Sequence, residues 1–183
     1  MSQRSQWFLV GGIVAAAGIA LVVATQMAGG PKVIGPGADA PDFVARTVSD
    51  SGEGATVGIA AYRGKPVLLN IWATWCAPCR DEMPRIQQLY SELGAEGLTV
   101  VAVSIDNPGV TTAIRDFKKE MGLTFEVVHD ESGRIRDNYQ TAGVPETFLI
   151  DRTGVIRRRL IGAAWTIDEQ RPLLKELIAE APK

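Results

Sequence analysis

Cys76 and Cys79 are the only two cysteines in a chain of 183 residues. They stand in the segment Trp75-Cys76-Ala77-Pro78-Cys79, one residue after the apolar run of residues 66–73. The run predicts a strand that ends where the motif begins, with a helix starting inside the motif. Thiol–disulfide exchange uses a Cys-x-x-Cys pair in this setting. The reactive species is the thiolate. A helix N-terminus offers unpaired N–H groups and partial positive charge that favour it. The second sulfur, one turn on, is within reach of a mixed disulfide formed by the first. The spacing therefore supplies an attacking sulfur, Cys76, and a resolving sulfur, Cys79.

Two other uses of paired cysteines fit less well. A structural zinc ion takes four ligands, and beyond the two thiols the chain offers one histidine, His129, far along the sequence. A structural disulfide across two residues closes a very small ring, so it removes little entropy from the unfolded chain. Pro78 falls in the first helical turn, where its missing N–H costs little. Trp72 reads as core, and Trp75 as a shield beside the motif. Arg80 favours a thiolate while Asp81 and Glu82 oppose it, and the sequence alone leaves that balance open. His129, beside Asp130 and Glu131, reads as solvated.

Several elements must hold the motif. Residues 43–48 predict a short edge strand, and residues 56–59 its hairpin partner. Residues 67–72 predict the main buried strand. The helix of residues 76–93 carries Ile86, Leu89, Tyr90 and Leu93 on its apolar face, with Pro84 inside it as a kink. Residues 98–105 are almost continuously apolar, as in a parallel strand covered on both faces. A helix over 111–121, a strand over 125–128 and a short helix over 134–141 follow. Residues 146–150 and 155–161 predict a closing hairpin, and 168–180 a last helix capped by Thr166 or Asp168. Arg157, Arg158 and Arg159 read as a solvated strand edge.

Two separated motifs carry a family resemblance. Leu69-Asn-Ile-Trp-Ala-Thr-Trp-Cys-Ala-Pro-Cys-Arg-Asp-Glu-Met-Pro84 is one. Gly143-Val-Pro-Glu-Thr-Phe-Leu-Ile-Asp151, followed by Gly154, is the other. Over about residues 36–180 the chain resembles membrane-anchored thioredoxin-like proteins of the TlpA/ResA/DsbE group, which serves cytochrome c maturation. The resemblance implies an α/β thioredoxin fold with an N-terminal β extension and a central insertion. It implies that Pro145 is a cis-proline facing the disulfide. It also implies that Glu146 lies near the cysteines and affects their proton transfers. Asn70 stands where cytosolic thioredoxin has a buried proton-accepting aspartate. An amide does not titrate, so Glu146 is the candidate replacement acid. Asn70, Trp75, Ala77 and Pro78 are the supporting positions of the motif. The peroxiredoxin pattern Pro-x-x-x-Thr-x-x-Cys is missing before Cys76, since Leu69 and Ala73 stand at its proline and threonine positions.

Residues 7–24 carry no charge, at the short end of the ~20 apolar residues that span a bilayer. With Arg4 and the amino terminus on the positive side, they predict a single-pass signal anchor whose N-terminus stays cytoplasmic. Cleavage is the weaker reading, because Gln26 or Pro31 would sit at the cut. The expected organisation is an anchor over residues 1–28, a Gly/Pro linker over 29–38, and a thioredoxin-like domain over 39–183. That domain would lie on the periplasmic side of the inner membrane. Disulfides persist there, so a domain whose only two cysteines share one exchange motif reads as a redox actor. The net charge of −2 gives no reason to expect nucleic acid, and no metal or cofactor is implied. The expected function is reduction of disulfides in exported proteins, apocytochrome c foremost, with electrons from a membrane dithiol donor. The alternatives are a reductant for copper-site assembly or other secreted dithiol proteins, and a metallochaperone holding Cu(I) on soft thiolate ligands.

Overall fold

The computed structural model describes residues 12–20, 23 and 33–181. The chain divides into two units, Met1–Val33 and Ile34–Lys183. In the first, residues 12–20 are helical. The remainder of the expected anchor, apart from residue 23, lies outside the described residues. No helix among the described residues is long and apolar enough to cross a membrane.

The second unit is built on one sheet of seven strands: β1 (Ala45–Ser49), β2 (Gly52–Val57), β3 (Val67–Trp72), β4 (Thr99–Ser104), β5 (Glu126–His129), β6 (Glu146–Ile150) and β7 (Ile156–Ile161). Their order across the sheet is β2-β1-β5-β4-β3-β6-β7. Four helices accompany them: α1 (Ala77–Leu93), α2 (Thr111–Glu120), α3 (Arg134–Asn138) and α4 (Ile167–Ala179). Strand β3 pairs in parallel with β4 and antiparallel with β6, and all six of its residues are buried. Its sequence, Val-Leu-Leu-Asn-Ile-Trp, has no polar alternation because neither face meets water.

Alternation along the strands sorts the sheet into two cores. Leu68, Trp72, Val100, Ala102 and Leu149 pack with Cys79, Met83, Ile86, Leu89, Leu174 and Leu177 of α1 and α4. Leu69, Ile71, Val101, Val103, Phe148 and Ile150 pack on the other face with Ile34, Phe43, Ile59, Ile135 and Tyr139. This is the three-layer thioredoxin-like arrangement expected from the motifs. Segment α2–β5–α3 lies between β4 and β6 in the chain, and β5 joins the sheet parallel to β4.

Most element boundaries agree with the expectations to within a few residues, and four readings need correction. First, β1 is an interior strand, paired with both β2 and β5, so β2 forms that edge. Second, α3 ends at Asn138, short of the expected 141. Third, His129 is buried, and its Nε2 lies 3.0 Å from the carbonyl oxygen of Asp106. Its acidic neighbour Asp130 is turned to backbone work, accepting from the amides of Ser132 and Ile135. Fourth, the arginine run is a half-buried edge in which every member is bonded. Arg157 pairs with Glu180 at 2.7 Å and Arg158 donates to Gln170 Oε1 at 2.9 Å. Arg159 pairs with Glu146 and donates to the carbonyls of Ile34 and Gln140. The hairpin turn before it needs a residue with positive φ, and Gly154 supplies it at +89°. Asp151 Oδ1 closes that turn by accepting from the amides of Thr153 and Val155.

Leu89 is fully buried between α1 and the sheet. Leu89→Ala should cost about 2–5 kcal/mol through lost burial and the cavity left behind, read as a lower urea midpoint with the denaturant slope unchanged.

Candidate active site

Strand β3 delivers the chain to the redox motif. It ends at Trp72, whose ring packs on Phe117 of α2 with centroids 4.6 Å apart. The next four residues form a turn closed by the Cys76 amide donating to Ala73 O at 3.2 Å. Cys76 is the N-cap of α1, in extended conformation, and its Sγ accepts from the Cys79 amide at 3.2 Å. The sulfur thus takes the place that a serine or aspartate oxygen takes at an ordinary helix start. Pro78 falls in the first turn, where no amide is needed. Cys76 and Cys79 are joined, with S–S 2.05 Å.

Exposure separates the two sulfurs' roles. Cys76 keeps 5% of its surface and Cys79 keeps none. An external disulfide can therefore meet Cys76, whereas Cys79 can reach only what Cys76 already holds. Trp75 stands beside them 67% exposed, on the solvent side of the motif. Arg80 is turned away, ion-paired to Glu120 at 2.7 Å and stacked 4.8 Å from the Phe117 ring. Asp81 is exposed. Of the three charged residues after Cys79, only Glu82 points inward.

Glu82 is fully buried, one turn along from Cys79 and on the same side of α1. Three neutral donors from three parts of the fold converge on it. Asn70 Nδ2 of β3 donates to Oε2 at 3.0 Å, and Thr147 Oγ1 of β6 to Oε1 at 2.9 Å. Trp165 Nε1, from the segment before α4, donates to Oε1 at 2.5 Å. Arg85 stacks 5.3 Å from the Trp165 ring. Burial pushes the Glu82 carboxyl above its ordinary range, while the bonds from Trp165, Thr147 and Asn70 and the charge of Arg85 work against that rise.

Asn70 faces α1 and binds Glu82 and Thr147. The Val144–Pro145 peptide bond is cis. The β3–β6 register sets Glu146 against Ile71, so Pro145 enters β6 at the end of the sheet from which the cysteines follow. Glu146 is also fully buried. It alternates with Phe148 and Ile150, so it faces the layer opposite α1, where Arg159 Nε and the Ala142 amide donate to it. Sequence reading overlooked Glu82 as a buried acid. The available signal was periodicity, since Glu82 falls with Cys79, Met83 and Ile86 on the apolar side of α1. Among the described residues no group of three or more His, Cys, Asp or Glu side chains could hold a metal ion.

Cys76 can be met from outside and Cys79 can resolve what it holds, the working arrangement of a thiol–disulfide oxidoreductase on a thioredoxin fold. Residues 36–159 match the AhpC/TSA family model, and the chain belongs to the ResA/DsbE-type oxidoreductases of that family. It is 34% identical over 165 residues to the thiol-disulfide oxidoreductase ResA of Oceanobacillus iheyensis, covering 90% of this chain and 84% of that one. ResA of Geobacillus kaustophilus is 32% identical over 161 residues, with 88% and 89% covered. Among solved structures, a protein assigned as thiol:disulfide interchange protein DsbE from Chlorobium tepidum is 30% identical. It superposes with a TM-score of 0.65 over 79% of this chain and 96% of that one. StoA of Bacillus subtilis is 26% identical, with a TM-score of 0.59 and coverage of 75% and 98%.

The raised Glu82 carboxyl has a consequence for stability. A carboxyl whose folded pKa lies above its unfolded one contributes stability below the unfolded value and loses it as pH rises through the folded one. The wild type should therefore lose stability relative to Glu82→Gln over that rise. Melting curves of both proteins from pH 4 to pH 9 check this, and parallel curves would contradict it.

Proposed function

We propose that the protein is an exported, membrane-anchored reductant that opens disulfides in apocytochrome c before haem attachment. The observation that carries the reading is the pairing of an accessible Cys76 with a fully buried Cys79 at the N-terminus of α1. The similarity to ResA and DsbE proteins supports it, as do Asn70 beneath the motif and the Pro145-Glu146 pair. A solved relative that is 26% identical is described as a secreted Mycobacterium tuberculosis disulfide oxidoreductase homologous to Escherichia coli DsbE, in keeping with an exported site of action. The anchor would be residues 7–24, and the redox domain would work on the periplasmic side.

The reaction balances as two exchanges. The Cys76 thiolate attacks one sulfur of a client disulfide, forming a mixed disulfide and expelling the other client sulfur as a thiolate. Cys79 then attacks Cys76 Sγ, closing the Cys76–Cys79 bond and expelling the second client thiolate. Two electrons have passed to the client. A membrane dithiol donor restores the reduced pair and becomes a disulfide itself. Cys79 must lose a proton before it can attack. Glu82, one turn along and raised by burial, is the acid–base group we assign to that proton. The sequence reading had offered this task to Glu146, whose ion pair with Arg159 on the other layer favours Glu82 instead.

Three measurements test these statements. Cys79→Ser should trap mixed disulfides through Cys76, visible as adducts on a non-reducing gel, and Cys76→Ser should trap none; equal trapping would reverse the roles. Glu82→Gln should slow resolution by about 10²-fold, the low end for a general base, and flatten the pH–rate profile, whereas Glu146→Gln should leave the shape of the profile unchanged. A deletion strain should accumulate little c-type cytochrome, and normal amounts would sink the assigned client while leaving the exchange chemistry standing.

A further inference from the structure

The turn between β3 and Cys76 is gripped from outside the motif. Asp106, two residues beyond β4, is 3% exposed. Its carboxylate accepts from the Thr74 amide at 2.9 Å on Oδ2 and from Thr74 Oγ1 at 2.7 Å on Oδ1. Ser104 Oγ donates to Oδ2 at 2.7 Å, and the Asp106 amide returns a bond to Ser104 Oγ at 3.1 Å. The Asp106 carbonyl lies 3.0 Å from His129 Nε2 at the end of β5. Asp106 is therefore anchored at the end of β4 through Ser104 and at the end of β5 through its own carbonyl, and its carboxylate holds one loop residue, Thr74, by both backbone and side chain. Thr74 is the second residue before Cys76, inside the Ala73–Cys76 turn.

We propose that Asp106 is a positioning residue for the attacking sulfur, acting through Thr74 in the reduced enzyme. With the disulfide closed, the covalent bond holds Cys76 Sγ over the start of α1. Once the pair is reduced that restraint is gone. The sulfur then stays at the amide of Cys79 only as long as the backbone of the turn keeps Cys76 at the N-cap position. The Ala73–Cys76 hydrogen bond is 3.2 Å. The clamp on Thr74 fixes the same turn with two bonds to a carboxylate, and such charge-assisted bonds are the stronger kind. Releasing the turn lets the sulfur leave the amide and lose the helix-start field that favours a thiolate. The effect falls on the reduced form, because the oxidised form carries its own cross-link. The inference rests on the exchange chemistry of Cys76 and Cys79 and is independent of the client and of Glu82.

The test compares the full-length wild type with Thr74→Val, Thr74→Ser and Asp106→Asn, each equilibrated with glutathione buffers and, when reduced, alkylated with iodoacetamide at neutral pH. Thr74→Val and Asp106→Asn should slow Cys76 alkylation about tenfold. They should also shift the glutathione equilibrium about tenfold towards the disulfide, equivalent to about 30 mV. Thr74→Ser, which keeps the hydroxyl donor, should restore both. A merely structural clamp would lower the melting temperatures of the oxidised and reduced forms alike and move neither alkylation nor equilibrium, and that result overturns the proposal. If Asp106→Asn does not fold, Thr74→Val carries the test alone. A wild type whose Cys76 resists alkylation would overturn the exchange chemistry itself, an outcome distinct from unchanged variants on a reactive wild type.

Discussion

A carboxyl group in a protein interior must be met by donors or it opposes folding. At Glu82 this requirement organises the redox layer. Its three partners come from the central strand, the neighbouring antiparallel strand and the segment leading into the last helix. Satisfying one side chain thus ties α1, β3, β6 and the start of α4 to a common point beneath the sulfur atoms. Buried networks of this kind are costly when one member is lost, because the rest remain desolvated. The position of the redox helix over the sheet is therefore set by polar bonds as well as by the apolar contacts of Met83, Ile86 and Leu89. Each of those contacts alone would tolerate some sliding, whereas a carboxyl with three directional partners tolerates far less.

That fixed layer explains how one short turn can do two jobs. The accessible sulfur needs a field that favours its anion and an open approach, and the end of a buried strand followed by a helix start provides both. The second sulfur needs to be hidden until a mixed disulfide exists. The helix start achieves this, since Cys76 is the N-cap, outside the helix proper, while Cys79 lies in its first turn on the side that packs with Met83 and Ile86 in the core. The charged residues around the motif follow the same division. Arg80 and Asp81 face outward, where water and Glu120 weaken their influence, and a surface ion pair such as Arg80–Glu120 contributes at most about 1 kcal/mol. The one charged side chain directed inward after Cys79 is the one whose ionisation the interior controls.

Much of this could be read from the residues themselves. The apolar β3, the almost unbroken β4 and the stripe along α1 are periodic signals, and periodicity reports which side of an element is dry. The two motifs singled out the sulfurs, and the resemblance they carry drew attention to Asn70 and Pro145. What escaped reading shares a physical cause. His129 and the arginines at 157–159 are polar residues whose burial depends on partners far along the chain, such as Asp106, Gln170 and Glu180. Local composition cannot report such pairings. The same holds for the two buried glutamates. Both Glu82 and Glu146 lie close to a motif in sequence, and only strand alternation and helix phase reveal that they face different layers. The interior place of β1 was hidden as well, since its contact with β5 joins segments some eighty residues apart.

Strand β7 closes one side of the sheet, and an unpaired strand there is a template on which a second molecule can polymerise. The start of β7 is occupied by the segment around Ala38, which exchanges hydrogen bonds with Ile156, and by the Asp39–Val155 bridge. The rest carries three consecutive guanidinium groups, each already engaged with acidic, amide or carbonyl oxygens of its own molecule. A foreign strand would have to strip water from those groups and compete with bonds they already make. The fold therefore carries its own defence against edge-to-edge pairing on this flank, at a distance in the chain from the turn that carries the sulfurs.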